Sequence, residues 1–107
     1  MIARGQIRWA NLPAPVYRRP VCIVTRDSAL PVLTTILCAP ITTRIRGVDS
    51  EVAVPDHIRL KEASVINCDN IRPVDIHDLD MTAVGILDAD SLRLLDRALM
   101  YALGIAA

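Results

Sequence analysis

Phenylalanine is absent from this 107-residue chain, and the remaining aromatics are one tryptophan and two tyrosines. So small a set excludes the row of stacking side chains on which an unselective single-strand binder lays its bases. Glycine occurs only four times, and never as GxGxxG or GxxxxGK, so a glycine-rich phosphate cradle is excluded. His57 and His77 stand apart from each other and from the cysteines, which form no CxxC pair. Zinc sites of the usual spacing are therefore excluded, and neither a metal nor a cofactor is expected. Cys22, Cys38 and Cys68 are an odd number, each in or beside an apolar run. They read as buried, reduced thiols in a cytoplasmic protein. No apolar run approaches the ~20 residues of a membrane helix. The opening MIARGQIRWANLP lacks the continuous apolar stretch of a secretory leader. The formal net charge is zero, against indiscriminate binding of polyanions through overall charge.

What is present is apolar and short-ranged. Just over half of the residues (52%) are hydrophobic, enough for one domain over residues 1–107 with a modest core. Segment 5–12 (GQIRWANL) alternates, with Ile7 and Trp9 opposed to Arg8 and Ala10, as a half-buried strand does. Prolines make 13–18 a loop. The runs 20–25 (PVCIVT) and 34–42 (TTILCAPIT) read as strands buried on both faces. Gly47 turns the chain. Residues 50–55 alternate Val52 and Val54 inward, 64–76 reads as one or two strands bent near Asp69-Asn70, and 82–87 is a last strand. The period then changes. Leu92, Leu95, Leu99, Ala102 and Leu103 share one helical face, Asp88 is an N-cap and Gly104 a C-terminal stop, predicting a helix over about 89–103. The fold class is therefore mostly β with a C-terminal α-helix (α+β), as a small curled sheet or barrel with the helix packed on it.

Charge is unevenly distributed. Residues 1–61 carry nine basic and four acidic groups, and residues 62–107 three basic and eight acidic ones; eleven of the twelve basic residues are arginine. Arginine presents a planar, permanently charged fork matched to phosphate. The eight residues between the 20–25 and 34–42 strands suit an antiparallel pair better than a parallel crossover. Such a pair gathers Arg18, Arg19, Thr42, Thr43 and Arg44 at one rim. Guanidiniums and hydroxyls so arranged suit a phosphodiester, although sheet rims are also polar without further purpose.

The segments RGQIRWANL, RRPVCIVTRD, TTILCAPITTRIRG, SEVAVP, ASVINCDNIRPVD and VGILDADSLRLLDRALMYALGI together resemble the MazF/PemK family of toxins, over nearly the whole chain and in the right order. The resemblance implies an SH3-like, partly open barrel of the CcdB/MazF kind and a homodimer. It also implies metal-independent, sequence-selective cleavage of single-stranded RNA (mRNA, or tRNA or rRNA) by 2′-hydroxyl attack. The products would be a 2′,3′-cyclic phosphate and a 5′-hydroxyl, with translation and growth inhibited. By the same resemblance Arg19 and Thr42 are the catalytic residues, and Arg18, Arg26, Thr43, Arg44, Arg46, Asn70 and Arg72 are RNA-binding. A cognate MazE-like antitoxin with an acidic C-terminal tail is the implied partner. Two departures from the family are visible. The loop from Asn11 to Arg18 is short and lacks a Gly/Ser-rich stretch, and Arg26 stands where relatives often have asparagine. Two other readings stay open on sequence: a CcdB-like gyrase-binding toxin without nuclease activity, and an inert binding module.

Overall fold

A computed structural model describes residues 1–106 as seven strands and one α-helix. The strands are β1 (Gln6–Asn11), β2 (Arg18–Ile23), β3 (Thr35–Thr42), β4 (Glu51–Ala53), β5 (Val65–Asn67), β6 (Arg72–Asp75) and β7 (Gly85–Ile86). The helix α1 spans Ala89–Leu103. All strand pairs are antiparallel, in the order β4-β5-β3-β2-β1-β7, with β6 paired to β3 beside β5. This curled half-barrel with one C-terminal helix is the expected fold class. No helix among the described residues is long and apolar enough to cross a membrane.

The longest strand, β3, organises the sheet. One edge pairs with β2 over Cys38–Pro40. The other is divided, Thr35–Cys38 pairing with β6 and Ile41–Thr42 with β5. A single-turn 3-10 helix at Cys68–Asn70 separates β5 from β6, its start held by the Asn67 side chain accepting from the Asp69 N–H. That turn is the bend expected near Asp69-Asn70.

Apolar residues fill both faces of the sheet. Ile7, Cys22, Ala39, Ile41 and Ile66 meet Leu95 and Ala98 of α1 on one face. Ala10, Val21, Ile23, Ile36, Cys38 and Val74 form a second cluster on the other. Strand β1 is therefore not the half-buried strand that its alternation suggests, since Ile7 serves one cluster and Ala10 the other. Arg8 is buried as well, at 4% exposure. Its guanidinium donates to Gln6 Oε1 and to the carbonyls of Asp80, Met81 and Met1 at 2.7–3.1 Å. Backbone oxygens thus satisfy a cation that the sequence pattern placed in solvent. Strand β2 begins at Arg18, two residues before the predicted start, because Asn11 and Ala10 of β1 pair with Arg18 and Arg19.

The three cysteines are free and buried. Burial pushes the thiols of Cys22 and Cys38 up to about 12 and that of Cys68 up to about 11, so they remain protonated and inert at neutral pH.

The helix caps are as the sequence implies. Asp88 Oδ1 accepts from the Ser91 N–H at 2.8 Å, and Gly104 adopts φ 71°. Upstream, Gly5 has φ 86°, and a Cβ there would lie 2.7 Å from Leu92 Cδ2. The left-handed backbone there strains any other residue, and an added Cβ would also have to displace the Leu92 side chain. Leu103 does not join the packed stripe. It is 62% exposed, since the last helical residue has outrun the surface that buries Leu95 and Ala98.

Leu95 is fully buried, so Leu95→Ala should cost about 2–5 kcal/mol through lost transfer energy and a residual cavity. Leu103→Ala should change stability by less than about 0.5 kcal/mol. Urea unfolding followed by circular dichroism checks both, and equal losses would contradict the packing described.

Candidate active site

Pro20 shapes the site. The β2–β3 ladder stops at Val21↔Pro40. Pro20 has no N–H to donate across to Ile41 and so cannot extend it, whereas the nitrogen of Pro40 faces the opposite edge of β3. Beyond that point β2 stays with β1 (Ala10↔Arg19, Asn11↔Arg18) while β3 turns to β5 (Thr42↔Val65). The sheet forks. Continued by two residues, the ladder register sets Arg19 opposite Thr42, one on each arm.

Two grooves meet at that pair. The first, about 480 Å³, lies in the fork between Trp9, Arg18, Arg19 and Pro20 on one side and Ile41, Thr42 and Thr43 on the other. The 59–64 segment closes it with Arg59, Leu60, Lys61, Glu62 and Ser64. The second, about 450 Å³, is lined by Arg19, Pro40, Thr42, Arg44, Arg46, Asn67 and Asn70. Arg19 and Thr42 are the two residues common to both linings. Thr42 Oγ1 accepts from the Arg44 N–H at 3.1 Å. This fixes the hydroxyl and leaves its own proton free to donate.

The cations of the rim fall into two kinds. Arg18 is engaged: it donates to both Asp80 oxygens at 2.6 and 3.0 Å and to Asn11 Oδ1 at 3.0 Å, and it lies 5.5 Å from the Trp9 ring centroid. Its guanidinium holds the Asp80 carboxyl below the ordinary aspartate range. Arg46 is engaged too, by Glu51 at 3.3 Å and Asp69 at 3.4 Å. Desolvation opposes the ionisation of Glu51. The N–H groups of Gly47 (2.9 Å) and Arg46 (3.0 Å), with the Arg46 guanidinium, outweigh it and hold the carboxyl below its usual value. By contrast Arg19, Arg44, Arg59 and Lys61 form no ion pair among the described residues. Their charge is available to a ligand.

Arg18, Arg19, Thr42, Thr43, Arg44, Arg46 and Asn70 are thus brought together, as the sequence predicts. Arg26 and Arg72 are not. Arg26 follows the far end of β2, in the turn toward β3, and lines neither groove. An antiparallel pair that collects Arg19 and Thr42 at one end must send the intervening loop to the other. Arg72 pairs with Cys38, four residues down β3 from Thr42, and its Nε is buried without a hydrogen-bond partner. The 59–64 wall and Trp9 were not foreseen as site residues. The alternating basic pair Arg59/Lys61 after Pro55 was the one available signal.

Comparison with known proteins places this geometry in company. The family described as "PemK-like, MazF-like toxin of type II toxin-antitoxin system" matches residues 3–103. The chain is 40% identical over 75 residues to a probable endoribonuclease MazF5 of Mycobacterium tuberculosis, covering 69% of this chain and 68% of that one. It is 44% identical over 61 residues to endoribonuclease MazF3 of the same species, covering 57% of this chain and 59% of that protein. Among solved structures, Mycobacterium tuberculosis toxin MazF-mt6 superposes with a TM-score of 0.84 at 36% identity, over 95% of this chain and 99% of that one. A mycobacterial endoribonuclease in complex with its cognate antitoxin shares the fold, with a TM-score of 0.86 at 22% identity, over 100% and 99% of the two chains.

The Arg18–Asp80 clamp yields a pH prediction. Asp80 has its carboxyl depressed in the folded state, so the contact is complete above the ordinary aspartate range and is lost as pH falls through the lower, folded value. Acidification should therefore release Arg18 from the indole and shift Trp9 emission. Because Trp9 is the chain's one tryptophan, fluorescence reads the event directly. Asp80→Asn should remove the transition, and an unchanged titration in that variant would disprove the assignment.

Proposed function

The chain belongs to the PemK-like, MazF-like family of type II toxin–antitoxin toxins, and we propose that it acts as a sequence-selective endoribonuclease on single-stranded RNA. The observation that carries this reading is the convergence of a free guanidinium, Arg19, and an oriented hydroxyl, Thr42, where two grooves meet. A phosphodiester laid across the junction keeps one neighbouring nucleotide in each groove.

The chemistry follows from what RNA itself brings. The ribose 2′-hydroxyl attacks the adjacent phosphorus, the bond to the 5′-oxygen breaks, and a 2′,3′-cyclic phosphate and a 5′-hydroxyl result. Charge accumulates on the non-bridging oxygens as the phosphorane forms. The Arg19 fork answers it with paired N–H donors in a partly enclosed cleft, where such donors count for more than in water. Arginine stays protonated at any working pH, so its contribution is electrostatic rather than proton abstraction. Thr42, its lone pair occupied by the Arg44 N–H, donates its own proton to a phosphate oxygen. Arg44, Arg59 and Lys61 hold the flanking phosphates.

The named relatives, and a neighbour solved with its antitoxin, support the same reading. A cognate antitoxin with an acidic extended segment fits the four unpaired cations of the grooves, and by occupying them it silences the site. A homodimer with two such sites, working in the cytoplasm to arrest translation and growth, completes the proposal.

Purified protein should cleave single-stranded RNA in EDTA and leave cyclic-phosphate ends. Arg19→Ala should lower the cleavage rate by about 10²–10³-fold or more. Arg19→Lys should recover part of it, since it retains charge but loses the planar fork. Thr42→Val, which keeps shape and removes the proton, should lose more than Thr42→Ser. Intact RNA with wild-type protein in EDTA, or full activity in both Arg19→Ala and Thr42→Val, would sink the proposal.

A further inference from the structure

The two grooves that meet at Arg19 and Thr42 differ in chemistry. The second offers Arg44, Arg46, Asn67 and Asn70, with Pro40 as its single apolar member. The first has an apolar floor and walls, from Trp9, Pro20, Ile41 and Leu60. Phosphate has no use for such walls, whereas an unstacked nucleobase does. The first groove also contains Glu62, a carboxylate with no ion pair among the described residues. A free carboxylate in a cationic cleft repels phosphate and can only accept hydrogen bonds.

Beside it, Ser64 is 8% exposed, and its Oγ donates to the Glu62 carbonyl at 2.9 Å. With that proton committed, the hydroxyl too is left as an acceptor. The cations of this groove, Arg18, Arg19, Arg59 and Lys61, suit the phosphates, and beside its apolar walls the two acceptors Glu62 and Ser64 favour a ligand edge that carries donors. Cytosine, adenine and guanine each carry an exocyclic amino group with two N–H bonds. Uracil presents one imide N–H between two carbonyl oxygens, which face a carboxylate unfavourably.

Resting on the endoribonuclease reading above, we infer that this groove is a nucleobase pocket in which Glu62, with Ser64, selects an amino-bearing base and rejects uracil beside the scissile phosphate. Trp9 supplies the apolar wall, and Arg18, clamped by Asp80, fixes the orientation of the indole. Glu62 is then a specificity-determining residue and Arg19 remains a catalytic one.

The test uses the full chain and oligodeoxynucleotides carrying a single ribonucleotide, with the bases on either side permuted. Cleavage rates are measured alongside quenching of Trp9 emission by the all-deoxy versions, which bind without reacting. At one neighbouring position the wild type should favour amino-bearing bases over uracil by about tenfold or more. Glu62→Gln and Glu62→Ala, with folding verified by circular dichroism, should bring that ratio to within about threefold at that position only. Wild-type ratios in both variants, or preference for uracil at both positions, would overturn the inference while Arg19-dependent cleavage still stood. Base-dependent quenching that responds to Glu62, without cleavage of any oligonucleotide, would retain the pocket and remove the endoribonuclease reading. No cleavage together with base-independent emission would remove both.

Discussion

The register of β2 against β3, and the point at which it stops, sets everything at the working face. Three residue pairs, Val21↔Pro40 to Ile23↔Cys38, tie the strands; two further residues along, Arg19 and Thr42 stand across a gap. A slip of one residue would turn one of these side chains to the opposite face. The slip is resisted from both sides of the sheet, since Cys22 and Ala39 are packed in one cluster and Val21, Ile23 and Cys38 in the other. The site therefore inherits its precision from buried apolar packing, although no apolar residue takes part in the proposed chemistry.

The electrostatics extend this division of labour. A net charge of zero conceals an N-terminal portion that supplies every unpaired cation of the grooves: Arg19, Arg44, Arg59 and Lys61. In the acidic C-terminal portion Glu62 lines the first groove, while other carboxylates serve structure. Asp80 clamps Arg18, Asp69 shares Arg46, and Asp88 caps the helix. Of the six arginines that the family resemblance implies for the site, two, Arg18 and Arg46, thus work as framework. A guanidinium already bonded to a carboxylate costs more to redirect toward a phosphate than one that points into solvent.

The fold was legible because its signals are local. Continuous β-branched runs marked β2 and β3, and the change of period after Asp88 marked the helix with both caps. The Arg19–Thr42 pairing was legible because it follows from antiparallel geometry alone. Arg26 lies at the opposite end of the β2–β3 pair, where antiparallel geometry carries the connecting loop, and so lines neither groove. Arg8 defied its alternation because carbonyls from distant loops, at Met1, Asp80 and Met81, surround it, and no period encodes such a contact. The 59–64 wall was missed for a related reason. An irregular segment carries no periodicity, and it becomes part of a site only when tertiary structure folds it over the fork.

The fork has one more consequence. Where β2 and β3 separate, each arm presents backbone on its inner side, and unpaired strand edges of this kind invite another chain to add itself. Here the invitation is withdrawn by the residues that open the gap. Pro20 has no N–H to offer an incoming strand. Arg18 and Arg19 set charge on either side of any attempted pairing. The opening thus admits a charged, flexible polymer through its side chains and discourages a neutral β-strand seeking its backbone. Pro20, whose missing N–H lets the cleft open, also helps keep the protein from assembling with itself through it.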